Sequence, residues 1–239
     1  MSVNPSIDGV SPEQLEALRI ENLAVWCALN NFKVDHRPFT FKNRLFLKKI
    51  YLSKSPIITV RKCTQVGLTI WMILKVLHKL RFAEFSGRRV PKKAGFYFPV
   101  WDTVTKFSKD RLRPLLAQIP EFSEAVSTQT SMDLVQLGNS SLYLSYTGGV
   151  ASMDSTPMDI LCLDEVRLMS SATINRLEER LSGCPDPEMY KISTAGYPND
   201  AIDKAFVRGK QYFWHTKCNC TDGIVLSDVF PDCVGSKTV

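Results

Sequence analysis

The chain has 239 residues, 44% hydrophobic and 23% charged, with a net charge of +6. That balance supports one large or two small buried cores and excludes a disordered tail as the main body. The positive charge is compatible with a nucleic-acid partner without requiring one.

The N-terminal MSVNPSIDGVSPEQ is polar and lacks the apolar segment of a signal peptide. A strong helical pattern follows over 11–32, with Ser11 and Gln14 as a capping box and Pro12 in the first turn. Residues 1–35 are expected to form a helical segment docked on the main domain. A basic stretch occupies 33–54. Strand and helix patterns then alternate: a strand at 57–61 before a helix at about 69–84, and a strand at 94–100 before a helix at about 102–118. Residues 133–146 read as a hairpin turning at Gly138-Asn139. A strand at 159–163 precedes a helix near 171–182, and a strand at 189–195 precedes one near 200–210. Such alternation predicts an α/β fold with a mainly parallel sheet covered by helices, over 36–212. The longest apolar run, 70–77, is interrupted by Lys75 and is too short to span a bilayer. Seven cysteines without a secretion signal read as reduced thiols in a cytosolic setting. Trp26, Trp71 and Trp101 lie in amphipathic patterns and are expected in the core.

Three strand ends carry polar residues suited to chemistry. The first is Arg61-Lys62-Cys63-Thr64-Gln65-Val66-Gly67-Leu68-Thr69, between a strand and a helix. A phosphate-binding loop has the form G-x-x-x-x-G-K-[ST]. Gly67 and Thr69 fit, Leu68 takes the lysine's place, and Lys62 stands where the first glycine would be. Lys62, or Arg61, could supply the missing cation, because a long side chain can reach back across the loop. The alternative is an ordinary strand–turn–helix. The second is Asp164-Glu165, ending an apolar strand. Adjacent acids there are costly unless they have a role, and in open α/β sheets ligands sit at the carboxyl ends of the strands. Asp164 could hold Mg²⁺, and Glu165 could orient an attacking water. The third is Ser193-Thr194-Ala195-Gly196, also at a strand end.

This order of motifs resembles the ATPase domain of the large terminase subunit of tailed bacteriophages, over about residues 33–215. The resemblance implies an ASCE-type P-loop NTPase that uses ATP and Mg²⁺ to move double-stranded DNA into a procapsid. It implies phosphate contact by Lys62, Mg²⁺ ligation by Thr69 and Asp164, and catalysis by Glu165. Ser193, Thr194 and Ala195 would couple hydrolysis to motion. An upstream adenine-contacting element would fall at 37–47, with Phe39 and Asn43 as candidates. The implied partners are DNA, a portal or procapsid, a small terminase subunit and further copies in a ring, in the host cytoplasm and away from membranes. The family's arginine before the strand acids has no counterpart in 147–159. Arg167, Arg176 and Arg180, just after the acids, are the candidates for a trans-acting finger. No room remains after residue 215 for a nuclease domain, so nuclease activity is not expected from these residues.

The last segment, 213–239, holds His215, Cys218, Cys220 and Cys233, which could form a tetrahedral zinc site or remain free thiols. The run 77–95 carries Lys79, Arg81, Arg88, Arg89, Lys92 and Lys93 and could meet DNA phosphates or simply face solvent. Two other readings remain: a helicase-like P-loop translocase, and a non-catalytic nucleic-acid-binding module whose loop has decayed.

Overall fold

The computed structural model describes residues 10–42, 44–85, 91–120, 122–123, 131, 133–148, 156–218 and 221–225; for 83–85, 215–218 and 221–225 it describes the backbone alone.

The N-terminal helical pattern forms two helices, α1 (Pro12–Glu21) and α2 (Leu23–Asn30). Ser11 and Gln14 form the expected capping box. The break falls at Asn22, whose side-chain oxygen accepts hydrogen bonds from the amides of Ala24 (2.9 Å) and Val25 (3.2 Å). An asparagine that caps the next turn competes with the helical ladder, so the continuous apolar spacing does not produce one helix. A two-residue hairpin follows, β1 (Lys33–Val34) and β2 (Arg37–Pro38), and then α3 (Leu47–Leu52).

The main sheet has six strands. They are β3 (Ile57–Lys62), β4 (Lys93–Phe98), β5 (Leu134–Leu137), β6 (Ser140–Tyr146), β7 (Ile160–Asp164) and β8 (Glu188–Thr194). Their order across the sheet is β3-β8-β7-β4-β6-β5, with β5 antiparallel to β6 and the other pairs parallel. Gly138 turns the β5–β6 hairpin with φ 63°. The loop strand β3 and the acid strand β7 are therefore not neighbours: β8 lies between them.

The helices are α4 (Leu68–Phe85), α5 (Trp101–Phe107), α6 (Arg113–Leu116), α7 (Ser171–Glu178) and α8 (Ala201–Val207). The helix expected at 102–118 is interrupted by a π turn over Ser108–Leu112, just ahead of Pro114. Proline cannot donate a backbone bond and crowds the preceding turn, so the ladder widens there.

Alternation along the strands fills two cores. Ile160, Cys162, Tyr190 and Ile192 face a large core shared with α2, α4 and α5. Leu161, Leu163 and Met189 face a smaller one under α7 and α8. Trp26 and Trp71 are buried as expected, whereas Trp101 is 42% exposed and meets Tyr146 edge-on. The 77–95 run does not form one basic face. Arg81 is buried, Lys79 pairs with Glu188 at 2.8 Å, and Arg88 and Arg89 lie outside the described residues. After α8, His215–Cys218 and Thr221–Val225 form a short antiparallel hairpin, a regular element the sequence pattern does not announce.

Lys75 is buried in α4, where its ammonium donates to the Ser53 carbonyl at 2.9 Å. Burial, reinforced by nearby Lys79, pushes its pKa down from 10.5 to about 8. Below about 8 the folded and unfolded chains both carry the proton, and burying the charge costs stability. Between about 8 and 10.5 the unfolded chain binds more protons, so stability rises with pH through that window. Thermal melts are expected to show this rise in the unsubstituted protein and to lose it in Lys75→Met.

Candidate active site

β3 ends at Lys62 and α4 begins at Leu68, so residues 63–67 form the connecting loop. Cys63, Thr64 and Gln65 are exposed, and Val66 and Gly67 are half-buried. Gln65 (φ 59°) and Gly67 (φ 87°) both have left-handed backbone. At Gly67 a side chain would also press on the Arg44 guanidinium, whose Nη1 is 3.1 Å from where a Cβ would stand. Glycine relieves both constraints. Trp71 donates to the Gly67 carbonyl at 3.1 Å, which starts the helical ladder. The amides just ahead of it open a helix N-terminus, a ready place for an anion.

Leu68, in the usual lysine position, is buried in the main core. Its side chain is committed to packing, so a phosphate-facing cation has to come from elsewhere. Lys62 and Arg61 are adjacent on a strand, and adjacent side chains point to opposite faces. The structure separates them. Arg61 pairs with Asp203 at 2.8 Å and lies over the Phe206 ring at 4.0 Å. Lys62 turns to the acids instead: its Nζ is 3.0 Å from Glu165 Oε1 and 3.8 Å from Asp164 Oδ1.

Thr69 joins the same group, donating its hydroxyl to Asp164 Oδ2 at 3.0 Å. Thr194 donates to Glu165 Oε2 at 3.4 Å, and Arg167 Nε is 3.9 Å from the same oxygen. Ser193 Oγ accepts from the Arg167 amide at 3.1 Å. Residues from β3, α4, β7 and β8 thus converge at the carboxyl edge of the sheet. Glu165 has φ 57° and ψ 44°, a left-handed conformation that is uncommon for a side chain of this kind and turns it back over the strand ends. Burial raises the Asp164 pKa, while the Lys62 charge and the Thr69 hydrogen bond pull it down. The net direction is upward, so an additional positive charge beside this carboxylate would relieve it.

The constellation has the parts for phosphoryl chemistry: a glycine turn at a helix N-terminus, a lysine, a hydroxyl beside a buried carboxylate, and a second carboxylate next to it. The sequence matches the family described as phage terminase large subunit gpA, ATPase domain, over residues 50–228. The chain belongs to that family.

The terminase ATPase fold is similar to that of the large terminase ATPase domain of Thermus phage P74-26, at 14% identity with a TM-score of 0.51, covering 70% of each chain. It is also similar to the UvsW helicase of bacteriophage T4, at 11% identity and a TM-score of 0.50, covering 82% of this chain and 65% of that one. The large terminase of a thermophilic bacteriophage aligns at 14% identity with a TM-score of 0.47, over 72% of this chain and 42% of that one. No curated protein matches this sequence. Among the described residues no helix is long and apolar enough to cross a membrane.

The other candidates fall as follows. Ala195 is exposed, beside a cleft of about 150 Å³ that Arg61, Tyr197 and Asp203 also line. Arg180 donates to the Thr156 carbonyl at 2.8 Å, tying down the approach to β7. Arg176 is on the exposed side of α7. Phe39 is half-buried, packed on Phe41 and Tyr51 at ring distances of 5.1 and 5.3 Å. Asn43, Cys220 and Cys233 lie outside the described residues, as do the side chains of His215 and Cys218. Sequence pattern did not single out Arg44, which reaches the loop glycine from 23 positions upstream.

Proposed function

We propose that this ATPase domain drives translocation of double-stranded DNA into a procapsid, with ATP seated on residues 62–69. The observation that carries the reading is the contact of Lys62 with Glu165 at 3.0 Å. One lysine reaches the carboxylate that would orient water while standing at the front of the phosphate loop. With ATP bound, Lys62 turns to the β- and γ-phosphates, and Glu165 is released to polarise the attacking water. Thr69 and Asp164 suit Mg²⁺, because they offer hard oxygens and Asp164 is a buried carboxylate that a cation would stabilise. Bound there, Mg²⁺ would supply charge neutralisation for the β- and γ-phosphates.

Ser193 and Thr194 support a coupling role, since their hydroxyls touch the Arg167 amide and Glu165 directly. Ala195 continues that segment toward α8. Arg167, Arg176 and Arg180 are the candidates for a neighbouring subunit's site; Arg167 and Arg176 are the exposed ones. The assembly implied is a ring on a portal or procapsid with a small terminase subunit, in the host cytoplasm. The reading assigns this chain no nuclease chemistry. The reading takes residues 36–212 as the ATPase unit, with 1–35 and 213–239 as the segments flanking it.

A helicase-like translocase is the second reading, favoured by the fold likeness to UvsW. The test is ATP-dependent movement on duplex DNA, read by displacement of a third strand from a triplex. A packaging motor displaces the third strand and leaves the duplex paired. Separation of the duplex strands would decide for the helicase reading.

A further inference from the structure

We infer that Arg44 is a second phosphate-binding cation of the nucleotide site, contacting the α- or β-phosphate beside the loop glycine, Gly67. The inference rests on reading residues 62–69 as the nucleotide's loop.

Arg44 lies in the connection leading into α3. Its backbone is fixed at both ends: its amide donates to the Phe41 carbonyl at 2.9 Å, and its carbonyl accepts from the Leu47 amide at 3.0 Å. Leu47 is itself buried, and its Cδ1 also faces Gly67, 3.6 Å from where a Cβ would stand. The guanidinium is thereby held over the loop glycine, with Nη1 at 3.1 Å and Cζ at 3.9 Å from that Cβ position.

Pairing distinguishes Arg44 from the other cations nearby. Lys62 and Arg167 stand against Glu165 and Asp164, and Arg61 stands against Asp203. Among the described residues no carboxylate lies within ion-pair distance of Arg44. It is exposed and planar, with several donors suited to phosphate oxygens. Among the described residues it is therefore a positive charge at the loop that no carboxylate offsets, while Lys62 is occupied by the acids. Thr69, Asp164 and Glu165 are the group assigned to the γ-phosphate and its metal; Arg44, standing over Gly67, is the cation we assign to the phosphates that ADP and ATP share.

The test is equilibrium titration of the protein with ADP and with a non-hydrolysable ATP analogue. Arg44→Ala is expected to raise both Kd values by the same factor, roughly ten-fold, the loss of one charge-assisted contact. Arg44→Lys should recover part of the affinity and Arg44→Gln none, a difference that a purely structural role would not produce. If Arg44→Ala melts at a lower temperature without ligand, the Lys and Gln pair decides. Unchanged Kd values, equal affinities for the Lys and Gln variants, or a loss confined to the ATP analogue would overturn the inference while leaving the loop assignment in place. Failure of the unsubstituted protein to bind either nucleotide would instead remove the loop assignment on which it stands.

Discussion

Glu165→Gln should lower ATP turnover by about 10²–10⁴-fold, the usual contribution of a positioned general base, while nucleotide stays bound. Glutamine preserves the length and one oxygen of the side chain, so that oxygen can still accept from Lys62 while the amide nitrogen donates to the Thr194 hydroxyl in place of the present bond. What it removes is the negative charge that, on the proposed mechanism, would polarise water. The backbone at position 165 is left-handed for glutamate already and asks no more of glutamine. The substitution thus separates chemistry from folding and from binding. Steady-state phosphate release in a preparation able to form rings, beside a nucleotide titration and a thermal melt, checks it. Turnover within a few-fold of the unsubstituted protein would remove Glu165 from the mechanism.

Lys62→Ala should fail differently. It is expected to lose turnover and to weaken nucleotide binding, because the adjacent cation, Arg61, is committed to Asp203 on the other face of the strand. It should also destabilise the nucleotide-free protein. The Lys62 and Asp164 side chains are 9% and 8% exposed, so removing the lysine leaves a buried carboxylate next to Glu165 without its partner. Breaking a fully buried pair costs ~3–5 kcal/mol. Glu165 is 31% exposed, and water shares in compensating it, so a loss of about 1–2 kcal/mol is expected. The loss has a defined pH dependence. The Asp164 pKa is already raised by burial, and removing the ammonium raises it further. Acidification through that pKa neutralises the carboxylate, so the gap between Lys62→Ala and the unsubstituted protein should narrow as pH falls. A gap that widens on acidification would contradict the account, as would ATP turnover unaffected by the change.

Much of this arrangement is legible along the chain because the informative units are local. Apolar runs bounded by Gly67, by Asp164-Glu165 and by Ser193-Thr194 mark strand ends, and strand ends in such sheets share one edge. The separation of Arg61 from Lys62 is also readable in principle, since strand side chains alternate. It follows only once the strand is known to continue through residue 62. Other features depend on competition between local groups. The apolar spacing of 11–32 continues across Asn22, and only its two side-chain hydrogen bonds show that the helix restarts there. Arg44 was not readable, because nothing in its neighbours says that an irregular connection passes over Gly67. That contact depends on how Leu47 docks in the core.

The strand order assigns Lys62 a further role. Neighbouring strands lie about 4.8 Å apart, so with one strand interposed the ends of β3 and β7 are separated by about 10 Å. The lysine bridges that width with its four-carbon stem, as a brace set across a gap of fixed size. A lysine at the start of α4 would measure the distance to the loop alone. One at the end of β3 measures the width of the sheet, including β8 with its Ser193 and Thr194. A shift of β8 that changed this width would change the reach Lys62 needs to meet Glu165. On the coupling role proposed for Ser193 and Thr194, the strand that transmits motion and the lysine that serves the chemistry would share a single dimension.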